Sequence, residues 1–176
     1  MKRRAGTGGA ARRQIGAGGS GAPSAAQIAG FLAKYDPAVA KLARGARTRL
    51  RRRMPTATEL VYDNYNALVF AFGATDRASD IVCSIALYPR WVTLFFLHGA
   101  ELPDPEGLLA GSGSQIRGVR LAAAADVDAP AVRALLDAAI RVNRTPLPAG
   151  GRARTIVKSV AAKQRPRRPP PKTRAR

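Results

Sequence analysis

Residue types that carry chemistry are scarce in this chain. It holds one cysteine, Cys83, among 176 residues, so no disulfide forms within it, which fits a reducing compartment. It holds one histidine, His98, and no Cys/His set matches a zinc site. A lone thiol inside an apolar run reads as buried and inert, because no base is fixed beside it to hold the thiolate. No run approaches the ~20 apolar residues of a membrane-spanning helix. The first residues are basic and continue into Gly, Ala and Arg without an apolar core, so no secretory signal is predicted and a cytoplasmic protein is expected. Gly6-Thr7-Gly8-Gly9 and Gly16-Ala17-Gly18-Gly19 follow no strand and precede no Lys-Ser/Thr, which excludes a phosphate-binding loop there. Paired carboxylates suited to acid–base catalysis are not evident either.

Acids are few: 11 against 30 basic residues, for a net charge of +19. All of them lie between Asp36 and Asp137. Residues 1–22 carry five basic residues and residues 145–176 carry ten, with no acid in either stretch. The middle, 23–144, carries 15 basic residues against 11 acidic, a net +4. The expected organisation is therefore a folded domain over 23–144 between two basic tails. The tails are too rich in Gly, Arg and Pro to offset their ordering entropy by burial. Residues 155–162 are the one part of the second tail that reads as a further short element.

The apolar residues concentrate between Glu59 and Gly99. Ala67–Phe72 places Leu68, Phe70 and Phe72 on one face and smaller residues on the other, the period-2 split of a strand. Asp80–Tyr88 alternates less cleanly, and Trp91–His98 is apolar on both faces, as in a covered central strand. Leu60–Tyr65 and Gln115–Ala122 complete five expected strands. Tyr88-Pro89-Arg90-Trp91 predicts a tight hairpin turn. Ser24 can cap a helix bearing Ile28, Phe31, Leu32 and Tyr35 on one face, and Asp36-Pro37 opens a second, with Asp at N-cap and Pro at N1. Asp128 is expected to cap a last helix through Val142, and Glu106–Ala110 to form one helical turn. Grouped strands with flanking helices predict an α+β fold: a mostly antiparallel sheet of about five strands, two N-terminal helices and one C-terminal helix.

Three residue groups are candidates for function. Tyr62, Asp63, Asn64 and Tyr65 form a polar-aromatic cluster able to hydrogen-bond a small ligand if it faces a cleft; a polar edge strand running into a turn would hold the same residues. Arg51, Arg52 and Arg53 at the end of the second helix, with Lys163, Arg165, Arg167 and Arg168 in the tail, make an electrostatic footprint for nucleic acid or another polyanion. A solvated, macrodipole-compensating helix end reads equally well for the first three. His98, Glu101, Asp104 and Glu106 fall within nine residues and offer oxygen ligands and one imidazole suited to Fe²⁺ or Mn²⁺, though at no standard ligand spacing. The tail has no aromatics, so its binding is expected to rest on phosphate neutralisation alone, without base stacking.

Two runs, Glu59-Leu60-Val61-Tyr62-Asp63-Asn64-Tyr65-Asn66 and Ser84-Ile85-Ala86-Leu87-Tyr88-Pro89, with Met54-Pro55-Thr56 before them, resemble the YdhG-like domain of unknown function. The resemblance covers about Ala26 to Arg141. The tail Thr155-Ile156-Val157-Lys158-Ser159-Val160 with Lys163-Gln164-Arg165-Pro166-Arg167-Arg168-Pro169 is similar to that of a basic subgroup. Many members carry Gly-Met-Pro-Thr-Tyr where this chain has Arg53-Met54-Pro55-Thr56-Ala57. The resemblance implies a small bacterial α+β domain, and through frataxin-like iron chaperones among its members it implies iron binding. The expectation is a non-enzymatic binding domain with no obligatory cofactor. A nucleic-acid-associated accessory protein and an iron chaperone stand as the alternatives.

Overall fold

The computed structural model describes residues 23–170. The expected disorder of residues 1–22 and the last tail residues, 171–176, lie outside the described residues. Helix α1 (Ala25–Ala33) starts where Ser24 Oγ accepts from the Gln27 amide, and α2 (Pro37–Arg53) where the Asp36 carboxylate accepts from Ala38, with Pro37 at the first helical position. Strands β1 (Thr58–Asp63), β2 (Leu68–Gly73), β3 (Ile81–Leu87), β4 (Val92–Phe96) and β5 (Arg117–Leu121) follow as an antiparallel meander. Helix α3 (Pro130–Val142) comes next, and the last strand is β6 (Thr155–Val160). The sheet order is β5-β4-β3-β2-β1-β6, with β6 parallel to β1. The α+β class, the three helices and the five expected strands are all present.

All three helices contribute to one core against one face of the sheet. Val61, Leu68, Phe70, Cys83, Ile85, Leu94 and Phe96, from alternate strand positions, join Leu32, Leu50 and Leu136 in a single buried cluster. The period-2 pattern thus set which strand residues meet the helices. Cys83 is fully buried within it, and burial pushes its thiol up to about 12. On the opposite face the register sets Gly118 of β5 across from Phe95 of β4. A Cβ at Gly118 would lie 2.7 Å from the Phe95 ring, so the aromatic covers the space that glycine leaves open. The tight turn at 88–91 forms as expected, with the Tyr88 amide donating to the Trp91 carbonyl at 2.9 Å.

Three expectations are corrected. First, residues 145–170 of the basic stretch do not trail away from the domain. β6 adds a sixth strand to the open edge of β1, and residues 161–168 fold back over the junction of α1 and α2, where Arg168 donates to the Ala33 and Tyr35 carbonyls. An unpaired strand edge and a buried carboxylate, described below, supply the reason. Second, Glu106–Ala110 is not helical. Gly107 takes a left-handed φ of 64°, and the Asp104 carboxylate accepts from the Leu108 and Leu109 amides, so the segment is an acid-pinned loop. Third, α3 is capped by Ala129 with Pro130 at N1, while Asp128 turns to Arg49 at 2.7 Å. No helix of the described residues is long and apolar enough to cross a membrane.

Candidate anion-binding groove

The basic residues separate into those used by the fold and those left to solvent. Glu59, on the helix-facing side of β1, is fully buried and accepts from Arg47 Nε at 2.6 Å, Arg51 Nη1 at 2.9 Å and Thr155 Oγ1 at 2.8 Å. Asp63, two pairs of residues further along the same side, has 0 % exposure. It accepts from Lys34 Nζ at 2.5 Å and from Arg167 Nη2 at 3.0 Å. Arg53 pairs with Asp137. A buried carboxylate is costly unless paired, so Arg47, Arg51 and Arg167 serve as counter-ions to Glu59 and Asp63, whereas Arg53 meets an Asp137 side chain that is 48 % exposed. Of the seven basic residues expected to meet nucleic acid, Arg51, Arg53 and Arg167 are thus held by acids, and Arg168 by backbone carbonyls. Arg52, Lys163 and Arg165 remain exposed.

The other two predicted groups are not brought together as sites. Strand alternation sends Tyr62 and Asp63 to opposite faces of β1. Asn64 accepts from Ser159 Oγ at 2.8 Å, and Tyr65 stands 44 % exposed in the β1–β2 turn with the Arg165 guanidinium over its ring. These four side chains do not line one pocket. Likewise His98 approaches only Glu101, at 3.6 Å, while Asp104 is taken by its own loop. Among the described residues no group of three or more His, Cys, Asp or Glu side chains is placed to hold one metal ion.

A groove of about 750 Å³ lies elsewhere, between α2 and the ends of β4 and β5. Helical spacing puts Lys41, Leu42, Gly45 and Arg49 on one stripe of α2 as its first wall. The second wall is Arg90 and Trp91 from the β3–β4 turn and Arg120 to Ala124 from the end of β5. Gly45 allows the close approach: a Cβ there would lie 2.6 Å from Ala124 Cβ. The floor is apolar, from Val39, Leu42 and Leu121. Trp91 is 36 % exposed, is stacked on Tyr88 at 5.1 Å, and carries the Arg120 guanidinium 4.9 Å from its ring centre.

The charge of this groove is positive. Lys41, Arg90 and Arg120 have no acid within 4.0 Å among the described residues, whereas Arg49 is paired with Asp128. Asp126, beyond the rim, is occupied by the Ala122 and Ala123 amides at 2.7 and 2.9 Å. The lining contains no Ser, Thr, His, Cys, Asp or Glu. Such a lining attracts an anion beside a partly exposed aromatic ring, and among the described residues Lys41 is its one side chain of a type that serves as acid, base or nucleophile. The reading of Trp91 as a strand residue missed this site. Its signal in the sequence was the one tryptophan beside Pro89 and Arg90 in a turn, where an aromatic is least needed for the core. Comparison with protein-family models, with curated proteins and with solved structures gives no match to this chain.

Proposed function

We propose that this chain is a non-enzymatic, cytoplasmic binding domain of the YdhG-like kind that holds nucleic acid by its phosphates, without reading sequence, in the groove between α2 and Trp91. The observation that carries this reading is the set of three acid-free cations, Lys41, Arg90 and Arg120, around an exposed tryptophan over an apolar floor. Phosphates supply the anionic partner and bases the ring that stacks. The overall charge of +19 adds long-range attraction for a polyanion. Iron binding, the alternative implied by the resemblance, has less support, since the nearest imidazole–carboxylate set is dispersed and most buried acids already hold arginines.

The test is the salt dependence of binding to a labelled oligonucleotide, measured for the full chain and for Lys41→Gln/Arg90→Gln/Arg120→Gln. Each phosphate contact contributes about −0.7 (single strand) to −0.9 (duplex) to the log–log slope, so losing three contacts should flatten it by about 2 to 3. An unchanged slope, or no binding by the full chain at low salt, rejects the reading.

A further inference from the structure

The β1–β2 turn and the β3–β4 turn lie at the same end of the sheet. Register places Leu68, which opens β2, beside Leu87, which closes β3, and Val92 beside Leu121 at the end of β5. Strands stand ~4.8 Å apart, so the two hairpins are about 10 Å from each other. Among the described residues the exposed large apolar side chains include two aromatics, Tyr65 and Trp91, and each sits on one of these turns. Each also carries an arginine on its ring: Arg165 lies 5.7 Å from the Tyr65 centre and Arg120 4.9 Å from the Trp91 centre. The Arg165 amide donates to the Tyr65 carbonyl at 2.9 Å, which fixes the C-terminal segment across this end. Lys163 is exposed on the same segment. Asp63, at this end too, is buried and paired, and Asp36 is turned to the Ala38 amide.

We infer that the nucleic acid is single-stranded and that its path runs from the Trp91 groove across the turn end of the sheet to a second stacking station formed by Tyr65 and Arg165. The inference rests on the groove reading above and deepens it. Aromatic faces reward unpaired bases, whose π-faces are free; in a duplex those faces are covered by neighbouring bases. Two ring–guanidinium pairs, one on each of two hairpins whose backbones are about 10 Å apart, with cations beside them, match a strand that presents bases and phosphates in alternation. The tail has no aromatic of its own, and the fold supplies one by laying Arg165 on Tyr65.

The test uses the full chain and fluorescence anisotropy with three probes: an oligothymidylate of about 12 nucleotides, one of about 3, and a duplex of about 12 base pairs. The long single strand should bind at least about tenfold tighter than the duplex at equal salt. Tyr65→Ala should weaken the long strand by about tenfold and leave the short one unchanged, whereas Trp91→Ala should weaken both. Tyr65→Phe, which keeps the ring, should restore the long-strand affinity. A duplex bound as tightly as the single strand, or Tyr65→Ala without effect on the long strand, overturns the two-station path, and if Trp91→Ala still weakens binding the groove reading stands. No binding of any probe by the full chain overturns both. Tyr65 lies exposed in a turn, so an unchanged thermal transition checks that the variant is folded.

Discussion

Arg167 ties the C-terminal segment to the domain, and its removal gives a sharp test of that architecture. Arg167 is 5 % exposed, and its guanidinium donates to Asp63 Oδ1 at 3.0 Å and to the Asn64 carbonyl and lies 5.5 Å from the Tyr35 ring centre. Arg167→Met keeps much of the aliphatic volume and deletes the charge. Removing one partner of a buried pair costs about 3–5 kcal/mol, because the other is left uncompensated. Lys34 remains on Asp63 at 2.5 Å with a side chain 37 % exposed, which puts the expected loss at the low end, about 3 kcal/mol. The Nε and Nη1 of Arg167 have no hydrogen-bond partner among the described residues, so the arginine is itself incompletely satisfied there. Asp63→Leu/Arg167→Met should therefore recover most of the loss, as replacing a whole buried pair with apolar groups often does. Urea unfolding reads this as a drop in midpoint at constant slope for the single variant and its return in the double. A single variant within about 0.5 kcal/mol of the parent, the range of an ordinary surface change, would mean that residues 161–168 are not docked in solution, and would remove Arg165 from Tyr65 as well.

Two further outcomes follow from the packing on the two faces of the sheet. Burial pushes both Tyr35 and Cys83 up to about 12, from ordinary values of 10.0 and 9.0; in Tyr35 the Arg167 charge partly opposes the rise. Raised values favour the neutral forms, so this stability is complete below about pH 9 and is lost as pH climbs toward 12, by about 1.4 kcal/mol per unit of difference; Cys83→Ala should lose less between pH 9 and 11 in urea midpoints than the parent, and equal losses would refute the assignment. Gly118→Val should destabilise by about 1–3 kcal/mol through collision with the Phe95 ring, and Phe95→Ala in the same chain should relieve it; thermal melts of the two variants decide this, and a neutral Gly118→Val would contradict the packing.

Local chemistry alone determined much of the fold. Ser24 and Asp36-Pro37 specified two helix starts because capping is a contact between near neighbours. The alternation Leu68, Phe70, Phe72 chose the buried face of β2 because side-chain direction in a strand depends only on position. Tertiary structure decided the rest, where a group's meaning depends on a partner far along the chain. Asp63 and Arg167 are 104 residues apart, and neither charge announces that one will neutralise the other inside the core. Arg51 likewise meets Thr155, 104 residues away, on the buried Glu59, which turned an expected phosphate contact into a counter-ion. Residues 155–162 read as a short element within a charged tail, and β6 is that element; its place in the sheet came only from the free edge of β1, which gave its backbone groups partners. The groove could not be read from the sequence because its walls come from α2, the 88–91 turn and residues 120–124, which only the register of β3, β4 and β5 brings side by side. Periodicity shows which way a side chain points; only the packed fold shows what it meets there, and which of 30 basic residues are left for a ligand.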